Sequence, residues 1–181
     1  SEELASKLRI LRLHGSNPKY YHAELGYNSR LDTLQAAVLG VKMKYIDEWT
    51  ERRRDIASLY SELLQGLPIA LPKETDGGKH VYHQYTIRTS QRDELRSYLK
   101  EHGIGTGVYY PLSLHLQEVF ADLGYREGDF PNSELATKEV LSLPMFPELE
   151  HEEVEYVCEK IKAFYASPVT GKKGATWLYN G

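Results

Sequence analysis

The sequence predicts a mixed α/β (α+β) fold in which a small sheet is covered by helices, mainly on one side. Three observations carry this. Apolar residues recur at helical spacing through much of the chain, while only two or three short segments are rich in β-branched and aromatic residues. The third is composition: 181 residues with 41% hydrophobic and 27% charged side chains are ordinary for one globular domain, so disorder is excluded. A chain of this length buries roughly 70% of its unfolded surface, enough for a core without disulfide or metal staples.

Leu4, Leu8 and Leu11, with Ile10 and Leu13 alongside, mark a first amphipathic helix that Gly15 stops. From Gly15 to Tyr27 neither period persists, and the aromatic, Gly- and Pro-containing run GSNPKYYHAELGY reads as a long loop. Ser29 and Asp32 form an S-x-x-D near-capping box ahead of Leu31, Leu34, Val38 and Val41, so a helix is expected to start there. The stripe continues through Ile46, Trp49, Ile56, Leu59 and Leu63 to Gly66, long enough that a break is expected near Gly40 to Lys44. Pro68 and Pro72 end the helical part, and TDGGK at 75–79 is a turn.

The segment His80 to Arg88 reads as a strand. Ser90 and Asp93 repeat the capping device before a helix carrying Leu95, Tyr98 and Leu99 and ending at Gly103. Ile104 to Tyr110 is expected as a second strand, giving a β-α-β unit with a right-handed crossover if the strands are parallel. A short helix near Leu116 to Leu123, a loop through Gly128, a helix opened by Pro131, a short strand at Leu141 to Met145 and a last helix from Glu150 to Tyr165 follow. The tail, 166–181, has no period and reads as a mobile or docking arm.

Charge and cysteine usage narrow the function classes. A net charge of −4 has the wrong sign for a generic polyanion binder, so no nucleic-acid partner is expected. No run reaches the 18 apolar residues of a membrane span, and Ser-Glu-Glu-Leu lacks signal-peptide layout. The lone Cys158 forms no internal disulfide or multi-Cys zinc site and reads as an inert structural thiol in a reducing, cytoplasmic setting. Ser1 opens directly into a helical pattern, as in a processed product or a piece of a longer chain.

Four constellations bear on chemistry. His80 and His83 form H-x-x-H, but strand residues three apart face opposite ways, so no metal site is expected. Arg52 to Arg54 lie among Asp47, Glu48, Glu51 and Asp55, the pattern of a solvated helix face. Asn28, Ser29 and Arg30 place an amide, a hydroxyl and a guanidinium where a loop becomes a helix, which suits an anion; alternatively Ser29 caps the helix and Arg30 pairs with a carboxylate. Tyr109 and Tyr110, with His115 and Gln117 behind, stand at a strand end where polar ligands bind, or pack as core. No G-x-S-x-G elbow or G-x-x-x-x-G-K loop is present, which leaves little for a hydrolase-like reading.

In order, NSRLDTLQAA (28–37), DEWTERRRDIASLYSELL (47–64), HVYHQYTIR, GIGTGVYYPLSLHLQ (103–117) and LSLPMFPEL resemble the C-terminal portion of a DegT/StrS-class nucleotide-sugar aminotransferase over about residues 1–165. These are fold-type-I enzymes dependent on pyridoxal 5'-phosphate. The resemblance implies amino transfer, usually from glutamate, to a keto nucleotide-sugar in amino-sugar and polysaccharide biosynthesis, by a homodimer with sites built from both subunits. It implies cofactor-phosphate binding at Asn28 and Ser29, across to the partner subunit, and substrate binding at Arg30, Tyr109, Tyr110, His115 and Gln117, although many relatives carry His where this chain has Tyr109. It divides the chain into a helical segment linking to the cofactor domain (1–66), a small α/β domain (67–165) and the tail (166–181). All twelve lysines fall outside the family's Schiff-base motif, so these 181 residues alone are expected neither to bind the cofactor nor to transaminate. The competing expectation is a truncated, non-enzymatic interaction module that self-associates through an apolar stripe on the helix from about 30 to 65.

Overall fold

The computed structural model describes residues 1–167, and the expectations for the tail fall largely outside them. The chain divides into two compact units, Ser1–Asp47 and a second beginning at Glu48. The expected boundary at 66 differs because the helix before it builds the second unit's core.

In the first unit, α1 (Glu2–Leu11) is capped by the Ser1 hydroxyl, which accepts from the Leu4 N–H at 3.2 Å, with Glu2 and Glu3 in its positive first turn. The expected loop after it is a short hairpin-like arm. Leu13 pairs with Asn28 and Ser16 with His22 in isolated antiparallel bridges, and His14 N–H donates to Tyr27 O at 3.0 Å. Gly15 and Gly26 meet backbone to backbone. A Cβ on Gly15, which also has φ +71°, collides with Glu24 O, and one on Gly26 collides with Gly15 N. The second helix, α2 (Thr33–Lys42), has Asp32 as its N-cap residue with no side-chain cap bond. The predicted capping box at Ser29 is therefore corrected: Ser29 N–H is tied back to Arg12 O at 3.1 Å, which keeps residues 28–31 on the arm. The predicted break near 40–44 is present.

The second unit contains α3 (Ile46–Leu63), β1 (Tyr85–Arg88), α4 (Arg92–Glu101), α5 (Pro131–Glu139), β2 (Val140–Leu143) and α6 (His151–Ala166), with 3-10 turns at Leu114–Leu116 and Glu118–Leu123. β1 and β2 pair antiparallel, Tyr85 opposite Leu143 and Arg88 opposite Val140. Ala70 bridges Arg88 at one edge and Gly107 bridges Ser142 at the other, both antiparallel. The Gly107 segment and β1 are thus parallel to each other with β2 between them. The expected β-α-β unit exists in split form, and its second strand shrinks to one bridge because GIGTG offers few side chains to pack.

The predicted strand from His80 starts only at Tyr85. Tyr82 has φ +44°, outside the extended region, and breaks the strand before it reaches His80. Ser90 does not cap α4; the Thr89 hydroxyl accepts from Gln91 N–H at 3.2 Å instead. Pro131 is the first residue of α5 as predicted, and α6 begins with a reciprocal capping box between Glu150 and Glu153.

The core follows from these periods. Ile56, Ala57, Tyr60 and Leu64 from α3 and its end, Tyr85 and Ile87 from β1, Leu95 and Leu99 from α4, and Val154, Val157, Ile161 and Phe164 from α6 are all buried. The arginine run is not simply a solvated face. Arg52 donates to Pro147 O and Leu149 O, and Arg54 to Glu74 at 2.5 Å and His80 O at 2.7 Å, fastening two loops to α3.

Candidate functional site

Where α4 ends, Gly103 (φ +77°) turns the chain and Ile104 anchors it in the core. The next residues run along the free edge of β2, with Gly107 N–H donating to Ser142 O at 3.0 Å and Ser142 N–H to Gly107 O at 2.7 Å. Between this edge, the irregular residues before β1 and the end of β2 lies an open cleft of about 450 Å³. His83, Gln84, Thr106, Tyr109 and Ser142 give it polar walls, and Leu143, Pro144 and Met145 continue the lining. A Cβ on Gly107 would sit 2.6 Å from the Tyr109 ring, so the ring lies directly over the Gly107 backbone. The Tyr109 and Tyr110 rings meet edge to face at 6.0 Å and 75°, both exposed. Neither ring packs as core; Tyr109 lines the cleft, and Tyr110 stands beside it outside the lining.

The cleft is supported from below by a buried hydroxyl network. Tyr60, stacked on Tyr85 with centroids 4.9 Å apart, donates its hydroxyl to Pro144 O at 3.1 Å. Tyr85 OH and Ser61 Oγ share a hydrogen bond at 2.9 Å. Burial raises the Tyr60 phenol far above its ordinary range and pushes Tyr85 up to about 12, so both stay neutral. On the sheet, Thr86 and Ser142 hydroxyls pair at 2.8 Å, orienting Ser142.

His115 and Gln117 do not line this cleft. The His115 side chain is 7% exposed and its Nε2 lies 3.0 Å from Glu134 Oε1. The carboxylate also accepts from Gly128 N–H and Phe130 N–H at 2.9 and 3.3 Å. Burial acts to raise the Glu134 pKa, but the Gly128 and Phe130 N–H groups and His115 outweigh it, and the net direction is down. Gln117 is half-buried between the two 3-10 turns.

Asn28, Ser29 and Arg30 are exposed and lie on the first unit's arm. With Asp32 at the N-cap, the end of α2 carries a negative side chain, so a helix-terminus anion site is not what the structure builds. The donors on offer are the amide, hydroxyl and guanidinium themselves. The same unit exposes Tyr20, Tyr27, Leu25, Leu34, Val38, Val41 and Met43, a concentration of apolar surface beyond what single scattered residues explain.

The two imidazoles of H-x-x-H separate. His80 Nδ1 accepts from Tyr82 N–H at 2.8 Å while His83 faces the cleft, and no cluster of three metal-ligating side chains occurs among the described residues. Cys158 is buried, and burial pushes its thiol up to about 12. No described lysine lines the cleft. Gln84, Thr106 and Ser142 were not legible as cleft residues, because they come from separate segments; His83 stood out only as half of H-x-x-H.

A family profile described as the DegT/DnrJ/EryC1/StrS aminotransferase family matches residues 1–162. The chain is 60% identical over 167 residues to a "Pleiotropic regulatory protein" of Geobacillus stearothermophilus, covering 91% of this chain and 45% of that protein. It is 43% identical over 161 residues to a dTDP-3-amino-3,4,6-trideoxy-alpha-D-glucose transaminase of Streptomyces venezuelae, covering 88% and 42%. The crystal structure of S. venezuelae DesV in complex with a ketimine intermediate superposes with a TM-score of 0.88 at 41% identity, covering 92% of this chain and 45% of that one. The chain spans slightly less than half the length of the relatives it matches.

Proposed function

Because the chain belongs to the DegT/DnrJ/EryC1/StrS aminotransferase family, we propose that it is the C-terminal part of a pyridoxal-phosphate-dependent enzyme that moves an amino group, from glutamate, onto a keto nucleotide-sugar in amino-sugar or polysaccharide biosynthesis. The observation that carries this reading is that the family match runs through both units, across the arm bearing Asn28 and the cleft bearing Tyr109.

The donor set on the arm fits a phosphate. Asn28 and Ser29 supply an amide and a hydroxyl, and Arg30 a guanidinium, on a backbone stiffened by the Gly15–Gly26 contact. In this reading Asn28 and Ser29 hold the cofactor phosphate of a second copy, and Arg30 holds the diphosphate of the nucleotide-sugar. The exposed apolar residues of the first unit support that homodimer. When bound, the cofactor carries the amino group between donor and acceptor. The carbonyl-binding lysine comes from another part of the enzyme.

The second unit's residues bind and orient. The Tyr109 and Tyr110 hydroxyls, with Thr106 and Gln84, supply directional hydrogen bonds to a polyhydroxylated ring, while the Gly107 backbone lets the Tyr109 ring close on one wall. The neutral Tyr60 beneath Pro144 fixes the lining without adding charge. In this reading the part of the substrate that extends beyond the cleft meets Gln117 on the segment after Tyr110, and His115 contributes by placing that segment. No described helix is long and apolar enough to cross a membrane, and the unbridged Cys158 supports a reducing compartment, the cytoplasm.

The test is a chimera joining the upstream portion of the Streptomyces transaminase to these 181 residues, assayed by mass spectrometry for glutamate-dependent amination of a dTDP-3-keto sugar. Amination is expected, and Tyr109→Ala should raise KM more than it lowers kcat. A folded, cofactor-loaded chimera that transfers no amino group refutes the reading.

A further inference from the structure

Residues 111–130 join Tyr109, in the cleft, and Tyr110 to α5 with two 3-10 turns and no α-helix or strand. Loops of more than about 15 residues without regular structure are uncommon and usually functional. This one is not slack. Its start is tied by Ser133 Oγ donating to Ser113 Oγ at 3.1 Å, with Ser113 buried. Its end is tied by Gly128 and Phe130 N–H donating to Glu134, and His115, near its start, reaches the same carboxylate. The Phe130 ring sits between His115 at 4.8 Å and Tyr125 at 5.1 Å. Three of these ties meet on one carboxylate.

We propose that Glu134 is a positioning residue: its buried carboxylate fastens the 113–130 strap to the first turn of α5 and holds His115 in the Nε2–H tautomer, fixing the strap beside the Tyr109–Tyr110 wall. A carboxylate accepts only, so the imidazole nitrogen 3.0 Å away donates. Glu134 Oε1 takes His115, Gly128 and Phe130 together, and Oε2 takes Gly128 at 3.0 Å. A glutamine keeps the Oε1 contacts but turns an N–H2 toward the Gly128 N–H. An aspartate, one methylene shorter, draws the carboxylate back from all three partners. The relevance to substrate rests on the reading given above, because Gln117 rides on this strap; the mechanical role does not.

The experiment is amide hydrogen exchange and imidazole NMR on the 181-residue chain, comparing wild type with Glu134→Gln, Glu134→Asp and Glu134→Ala. Exchange over 113–130 is expected to rise at least tenfold in Glu134→Ala and Glu134→Asp and less in Glu134→Gln, while α3 and α6 amides stay within twofold. The His115 Nε2–H resonance, visible in wild type, is expected to vanish in Glu134→Ala and shift in Glu134→Gln. Uniform acceleration across the molecule, or an unchanged strap and imidazole signal, overturns the proposal. If Glu134→Ala does not fold, the Glu134→Gln spectrum decides alone. No ligand is needed, so failure here leaves the transaminase reading standing, and failure of the chimera leaves this one standing.

Discussion

Replacing Tyr60 by Phe isolates the support beneath the cleft. Tyr60 is 0% exposed and donates to Pro144 O at 3.1 Å. The substitution keeps the ring, its volume and its stack on Tyr85, and removes only the hydroxyl. A neutral hydrogen bond contributes about 1 kcal/mol net, and an orphaned buried carbonyl costs about 1–3 kcal/mol. Pro144 is half-buried and open to the cleft, so water partly replaces the lost donor and the expected loss is about 1–1.5 kcal/mol. Tyr60→Ala removes the ring as well and should cost about 3–5 kcal/mol. Urea unfolding followed by circular dichroism reads both, with an unchanged m-value in Tyr60→Phe. Amide exchange near Met145 should quicken in Tyr60→Phe before the rest of the sheet does. If Tyr60→Phe matches wild type, or loses as much as Tyr60→Ala, the hydroxyl network has been misread.

Other consequences follow from the same structure. Tyr85, ordinarily near 10, is raised by burial to about 12; the unfolded chain releases this proton first, so its stabilisation is present below pH 10 and drains away between 10 and 12, seen as a falling urea midpoint. The lowered Glu134 gives the opposite sign: its contribution is present above pH 4.5 and is lost as pH falls below that, so exchange over 113–130 should quicken on the acid side. Cys158 should resist iodoacetamide at pH 8 in the folded chain and react on unfolding in urea, because the thiol is buried and protonated. Gly15→Ala puts a methyl group into Glu24 O at φ +71° and should collapse the amide resonances of 13–29 toward loop-like values while Ile56, Ile87 and Ile161 methyl signals stay in place.

The helices were legible because each carries its own period and punctuation: Val154, Val157, Ile161 and Phe164 all fall in the core, and Pro131 opens α5. The strands were legible in kind and not in extent. Nothing local announces that Tyr82 takes φ +44°, which cuts the His80 strand short, or that β2 inserts between β1 and the Gly107 edge, a pairing decided by contacts more than thirty residues apart. The site divides the same way. Tyr109 stood out beside a strand end, whereas Ser142 joins it only through the pairing of β2 with Gly107, and His83 from the irregular residues before β1. The Ser29 cap was misplaced because S-x-x-D and the true Asp32 N-cap overlap, and the tie from Ser29 to Arg12 belongs to the arm. His115 resembled a ligand contact by type, yet a carboxylate nineteen residues away claims its Nε2.

The central claim is that the arm at Asn28 to Arg30 grips a phosphate on behalf of a transaminase site. Its most direct test is the apparent affinity for pyridoxal phosphate of the chimera with the Streptomyces upstream portion, followed by cofactor absorbance, with and without Asn28→Ala. Loss of one hydrogen bond to a charged group, about 1.5–3 kcal/mol, predicts at least a tenfold weaker affinity for Asn28→Ala, with an unchanged melting profile of the apo protein. Equal affinity in the two proteins contradicts the claim.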